Sequence, residues 1–336
     1  MTLTPAEIKD RISEAAPGVF RIRVPLPKNP LKELNAYFVR ALPGGRNLLV
    51  DTGFNRVECE EALRGALAEL GADMKETDIF ITHMHSDHCG LVNRIADESS
   101  KIYCSRADAA IINDAAGDTY WDELDELFAT YGYPRKRRQN REKHPGWEFN
   151  VREPIEFTFA NEGAIIEAGK YLLRTVWTPG HTPGHMCLYD ERFGLLFCAD
   201  HVLGDITPNI TIENGMENPL RLYFDSLDKV SALKVDTVLT GHRNPPASFA
   251  GRVAQLRAHH IERLEEVMAI LNGHAMTAYE VAGKMTWDIS CENWDAFPPS
   301  QKWFATGEAI AHLQYLHTEG RIGKYMAEGV WWYAKL

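Results

Sequence analysis

No run of about 18 apolar residues occurs anywhere in the 336-residue chain, so nothing in it reads as a transmembrane helix. The opening stretch, MTLTPAEIKDRISEAAPG, is charged and lacks the apolar segment of a secretory signal, which predicts a cytoplasmic protein. Cysteine is scarce. The six present (Cys59, Cys89, Cys104, Cys187, Cys198 and Cys291) show no CxxC spacing, which excludes a disulfide framework in a chain of this size. A basic excess is missing as well. Thirty-six Lys and Arg stand against 47 Asp and Glu, a formal charge of −11, and that balance opposes a general nucleic-acid or acidic-membrane binder. Internal repeats and low-complexity tracts are also absent.

What the chain does contain is a series of short apolar runs through its first 240 residues, each of strand length. VFRIRVPL, NAYFV, NLLV, DIFIT, KIYC, YLLRTVW, LLFCA and DTVLT all read as buried strands. Amphipathic helices fall between them. Leu63, Leu67 and Leu70 share one face of a helix that Gly71 stops, and Asn218-Pro219 caps another bearing Leu220, Phe224, Leu227 and Val230. Strands mixed with helices predict an α/β layered domain over residues 1–250. Residues 105–161 break the pattern and read as a helical insertion. From residue 251 onward the spacing predicts three helices, the second opened by a capping box of Thr277 and Glu280. A hairpin around Glu328-Gly329 follows, which predicts a small winged-helix-like domain over residues 251–336.

The chemistry concentrates in ITHMHSDHCG, where His83, His85, Asp87 and His88 follow an apolar strand. Imidazoles at i and i+2 of a strand end can point the same way. Neutral imidazole and carboxylate together suit zinc and similar divalent ions. Further donors follow other predicted strands: His181 and His185 in WTPGHTPGH, Asp200 after LFCA, and His242 after VLTG. Loops at strand ends are where layered α/β proteins gather their functional groups. Spacing alone does not choose between His181 and His185.

HxHxDH, TPGHTPGH, CAD and TGH, in this order and preceded by LLVDTG with Asp51, resemble the metallo-β-lactamase superfamily. The resemblance, closest to its glyoxalase II and lactonase branches, covers residues 18–245. It implies an αββα four-layer sandwich with two divalent ions at one edge, zinc first, with iron or manganese also accommodated. By position, His83, His85 and His181 would bind one ion and Asp87, His88 and His242 the other, with Asp200 bridging. Asp51 and His185 would stand behind the ligands. The implied activity is hydrolysis of an acyl thioester or ester by a metal-bridging hydroxide, with Asp87 orienting the nucleophile. Hydroxyacylglutathione and acyl-coenzyme A are the carriers considered. Lactones or RNA phosphodiesters are the alternative substrates, and a binding or regulatory protein with a structural metal is the alternative of another class.

Two features bear on substrate and partners. Six of the nine residues 135–143 are basic, and Arg135, Arg137 and Arg138 among them offer an anion clamp for a phosphate-bearing carrier such as coenzyme A, or for RNA, unless the segment is a solvated loop. Residues 251–336 hold eight basic against ten acidic residues, so a DNA role for the hairpin domain is disfavoured. Its many aromatic residues fit packing on the main domain, substrate shaping or a homodimer contact.

Overall fold

A computed structural model of the chain describes residues 3–135, 144–289 and 291–336. Seven strands make the first sheet in the order of the chain: β1 (Ile12–Ala16), β2 (Val19–Pro25), β3 (Glu33–Val39), β4 (Asn47–Val50), β5 (Thr77–Phe80), β6 (Ile102–Cys104) and β7 (Thr158–Phe159). It is antiparallel up to the β3–β4 pair and parallel from β4 to β7. The second sheet has the order β12-β11-β10-β9-β8. Its strands are β8 (Ile165–Ala168), β9 (Tyr171–Trp177), β10 (Met186–Asp190), β11 (Leu195–Ala199) and β12 (Thr237–Thr240), and only the β11–β12 pair is parallel.

The strands read as unbroken apolar runs because both faces of each sheet are covered. Along β11, Leu195 and Phe197 pack between the sheets, while Leu196 and Cys198 face outward into a helical layer. Along β4, Leu48 and Val50 point inward and Leu49 outward. The outer face of the first sheet is covered by α2 (Val57–Glu69), with α3 (Ser86–Cys89), α4 (Val92–Ile95) and α5 (Arg106–Asp114) nearby. These layers make an αββα sandwich.

The cover of the second sheet comes from farther along the chain. It uses α6 (Asp118–Ala129), α8 (Pro219–Ser231), α9 (Phe249–Ile270), α10 (Ala278–Ala282) and α11 (Pro299–Thr318), with short α7 (Pro145–Glu148) beside α6. Thr277 and Glu280 form the expected capping box at α10. β13 (Ile322–Ala327) and β14 (Val330–Lys335) close a hairpin through Glu328 and Gly329, both with positive φ as a two-residue turn requires. The insertion is narrower than 105–161. Helix α5 packs Ala109 and Ile112 into the first sheet's core, and β7 extends that sheet's edge.

Insertion and C-terminal helices share one apolar core. Phe128 of α6 stacks on Trp303 of α11 with centroids 3.8 Å apart and planes 14° from parallel. Phe128 is almost fully buried, so truncating it removes both transfer energy and a stacked partner. Phe128→Ala is expected to lower stability by about 3–5 kcal/mol in denaturant unfolding. A loss below about 1 kcal/mol would mean that the two segments do not share a core.

Candidate metal centre

Parallel pairing of β4 with β5 and of β11 with β12 brings the C-terminal ends of those strands to one edge of the sandwich. Asp51 follows β4, His83 to His88 follow β5, Asp200 follows β11 and His242 follows β12. His181 arrives on the loop between β9 and β10. Three of the turns carry left-handed non-glycine residues, Asp51 (φ 61°), Ala199 (φ 41°) and Arg243 (φ 55°), strain of the kind that collects at functional sites. Gly241 is required by close approach, since a Cβ there would lie 2.2 Å from Asp200 Oδ1.

Three groups of side chains bring potential ligand atoms within 4.8 Å of one another: His83, His85 and His181; His83, His88 and Asp200; and Asp87, His88 and His242. His83 Nε2 and His85 Nδ1 are 3.1 Å apart. Two donors of one tetrahedral ion with bonds of 2.0–2.1 Å lie roughly 3.3 Å apart, so the spacing fits. Asp200 stands between the sets, 3.5 Å from His88 Nε2 through one oxygen, and 3.8 Å from His181 Nε2 and 3.4 Å from His242 Nε2 through the other. His242 Nε2 also lies 3.3 Å from Asp87.

The remaining ring nitrogens are fixed from behind. His88 Nδ1 donates to Asp51 at 2.7 Å, His181 Nδ1 to the Asn209 carbonyl at 2.7 Å, and His242 Nδ1 to the Glu33 carbonyl at 2.8 Å. His83 Nδ1 donates to Thr82 Oγ1 at 3.0 Å, and that hydroxyl donates on to Asp51. These bonds leave Nε2 as the nitrogen available to a cation, the usual arrangement behind metal-ligating histidines. The bare atoms are buried. His88, His181 and His242 Nε2 and Asp200 Oδ1 have no hydrogen-bond partner. Such groups are costly to leave empty, so the donor set fits a cation.

The charges divide the site. Burial, reinforced by neighbouring imidazoles, pushes His83 well below the usual range and His85 down to about 3, and burial also lowers His181. These three are neutral and ready to ligate. Burial opposes charge on His88 and His242 too, but the carboxylates prevail. Asp51, Asp200 and Asp87 hold His88 well above its ordinary value, while Asp200 and Asp87 raise His242 to about 10. Against its own burial, Asp87 is brought down to about 2 by His88 and His242, and Asp200 falls well below the carboxylate range through the same pair.

Among the other sequence candidates, His185 is buried behind the cluster with Nδ1 2.8 Å from Thr178 Oγ1, and it belongs to none of the three groups. Arg135 is exposed and pairs with Glu126, outside the cavity beside the cluster. Arg137 and Arg138 lie outside the described residues. All six cysteines are free, and five are buried.

Two contributors escape a sequence reading. Asp108 accepts from Met84 N at 3.0 Å, Thr182 Oγ1 at 2.6 Å and Gly184 N at 2.6 Å, tying the HMH loop to the TPGH loop. In sequence it is only an acid in the first turn of α5, behind the Ser105 cap. His144, which has no motif around it, lines the cavity with its ring near Trp121, Trp303 and Phe304. That cavity, about 550 Å³, opens from His85, Asp87, His181 and Asp200 and runs between the insertion and α11.

Fold and site thus define a metal-binding αββα protein with its donors at one sheet edge. Residues 33–242, more than half of the chain, match the Metallo-beta-lactamase superfamily, and the chain belongs to that superfamily. Residues 264–336 match the Metallo-beta-lactamase-like, C-terminal domain. The chain is 25% identical to "Probable metallo-hydrolase YqjP" of Bacillus subtilis (strain 168), over 91% of this chain and 94% of that protein. It is 27% identical to "Acyl-coenzyme A thioesterase MBLAC2" of Gallus gallus, over 68% of this chain and 78% of that one. The crystal structure of a metallo-beta-lactamase family protein from Thermus thermophilus superposes with a TM-score of 0.80 at 30% identity, covering 96% of this chain and 100% of that one. The protein is a metallo-hydrolase of this superfamily, whose His and Asp groups imply divalent metal ions.

Asp51 orients two histidines at once, directly and through Thr82. Asn at this left-handed position keeps the backbone, since Asn tolerates positive φ, but it replaces the charge that His88 donates to. Asp51→Asn is expected to weaken metal retention about 10- to 100-fold in a chelator competition. Unchanged retention would show that Asp51 supports the loop alone.

Proposed function

We propose that this chain is a binuclear metal-dependent hydrolase of acyl thioesters or related esters, with zinc, iron or manganese as the ions. One observation carries the reading: unpaired buried donors converge at the inner end of an apolar cavity, where a scissile carbonyl can be presented. His83, His85 and His181 would hold one ion and Asp87, His88 and His242 the other, with Asp200 between them. Bound divalent ions supply a water nucleophile near neutral pH and a Lewis acid for the carbonyl oxygen. Asp87, 3.3 Å from His242 Nε2, would accept a hydrogen bond from the attacking water and orient it. Hydrolysis then joins the water oxygen to the acyl carbon and breaks the carbon–sulfur bond, the sulfur leaving as thiolate. The Asp51, Asn209 and Glu33 acceptors keep the imidazoles from turning while charge develops.

The similarity to a protein named as an acyl-coenzyme A thioesterase supports the thioester over the lactone, and the apolar cavity supports an acyl group over a nucleotide. Thiol release from glutathione and coenzyme A thioesters, followed with metal-loaded and metal-stripped protein, tests this. Loaded protein is expected to turn over at least about 100-fold faster. Equal rates, or no thiol from any thioester, would contradict the reading.

Metal uptake should also be coupled to protons. The surrounding carboxylates favour the charged forms of His88 and His242 in the metal-free protein, whereas ligation requires an Nε2 without its proton. Uptake at pH 7 therefore expels protons, and affinity rises with pH between about 6 and 8. Calorimetry in two buffers of different ionisation enthalpy is expected to return between about one and two protons released per protein. Zero release would mean that these two imidazoles are not displaced from their carboxylates.

A further inference from the structure

Away from the His and Asp cluster, three carboxylates line the cavity: Glu148, Glu213 and Glu308. Glu148 is exposed. Glu308 has both oxygens engaged, one by Asn209 Nδ2 at 3.3 Å and the other by Arg263 Nε at 3.5 Å. Glu213 differs. It is 8% exposed, and one of its oxygens accepts a 2.7 Å bond from the Tyr120 hydroxyl, itself buried in the same wall. A carboxylate accepts at about four lone-pair positions, so one bond leaves most of its capacity free at the cavity wall. Nothing in the hydrolytic chemistry calls for it.

We propose that Glu213, oriented by Tyr120, is a specificity site for a hydroxyl group carried by an aromatic acyl substrate. The proposal deepens the hydrolase reading and, for turnover, rests on it. Its distance from the chemistry is suitable. Glu213 is four residues from Asn209, whose carbonyl fixes His181, and four residues of chain span at most about 14 Å. Glu213, His181 and Asp200 line the same cavity, so an acyl group of matching length with its carbonyl at the metal end would meet this wall. The cavity lining is rich in rings: His144 lies against Trp121 from the insertion and against Trp303 and Phe304 from α11. Flat rings are favoured in such a slot by offset and edge contacts. Burial raises Glu213 to about 7 against the Tyr120 bond, so near neutral pH the group can both accept from and donate to a hydroxyl. A polar group built to meet a substrate hydroxyl discriminates strongly against the analogue without one, because its own bond is then left unmade.

The experiment titrates metal-loaded protein with 3-phenylpropionate and its three ring-hydroxylated isomers by calorimetry. One isomer is expected to bind at least about tenfold more tightly than the parent acid. Glu213→Leu is expected to narrow that ratio to about twofold, and Tyr120→Phe, which keeps the ring and should fold even if the leucine variant does not, to reduce it measurably. No isomer exceeding the parent by twofold, or an unchanged ratio in either folded variant, would overturn the proposal. Thiol release from the matching coenzyme A thioesters separates it from the parent reading. Inert thioesters alongside discriminated acids would sink the thioesterase assignment alone. Thioesters cleaved with equal kcat/KM, beside acids bound equally, would sink the specificity site alone.

Discussion

An imidazole buried with one nitrogen bonded and the other bare is expensive, at about 1–3 kcal/mol for each unsatisfied group. The buried Nε2 atoms of His88, His181 and His242 all lack a hydrogen-bond partner, and Asp200 adds an unpartnered oxygen between them. The backbone around them is bent to hold it so. Asp51, Ala199 and Arg243 sit at positive φ, Gly241 yields its side-chain space to Asp200, and two main-chain carbonyls are committed to ring N–H groups. A fold bears such a cost where the converging donors have something to hold. The two sheets meet this constraint by delivering their strand ends to one edge.

The cover over the site is the second consequence. In an αββα sandwich the outer face of the second sheet needs helices, and here they come largely from after residue 218. One of them, α11, also walls the cavity that opens from the His and Asp cluster, opposite α6 and α7 of the insertion. Asn209 links the two roles, accepting from His181 through its carbonyl and donating to Glu308 of α11 through its side chain. Changes in the C-terminal helices therefore reach His181 of the candidate cluster through two hydrogen bonds.

Much of this was legible in sequence where the signal is local. Strands buried on both faces announce themselves as apolar runs, and Thr277-Glu280 and Asn218-Pro219 mark helix starts by capping chemistry. HxHxDH is legible because four donors in six residues have few other uses. Short or half-exposed strands are not: β1, β7 and β8 alternate weakly or are too brief, and β10 is masked by the histidine motif before it. Asp108 looked like an ordinary first-turn acid, since its partners lie 24 and 74 or more residues away. The cavity was invisible for the same reason, because Trp121 and Trp303 come to the two sides of His144 only through the folded core. Local chemistry is written in neighbouring letters, whereas a cavity is a property of long-range packing.

The central claim is that the bare nitrogens and the Asp200 carboxylate converge on two cations. Anomalous diffraction from crystals of metal-loaded protein tests it most directly. The account expects two peaks, one among His83, His85 and His181 and one among Asp87, His88 and His242, with Asp200 touching both. A single peak, or none with ordered water on the His88, His181 and His242 Nε2 atoms, would contradict it.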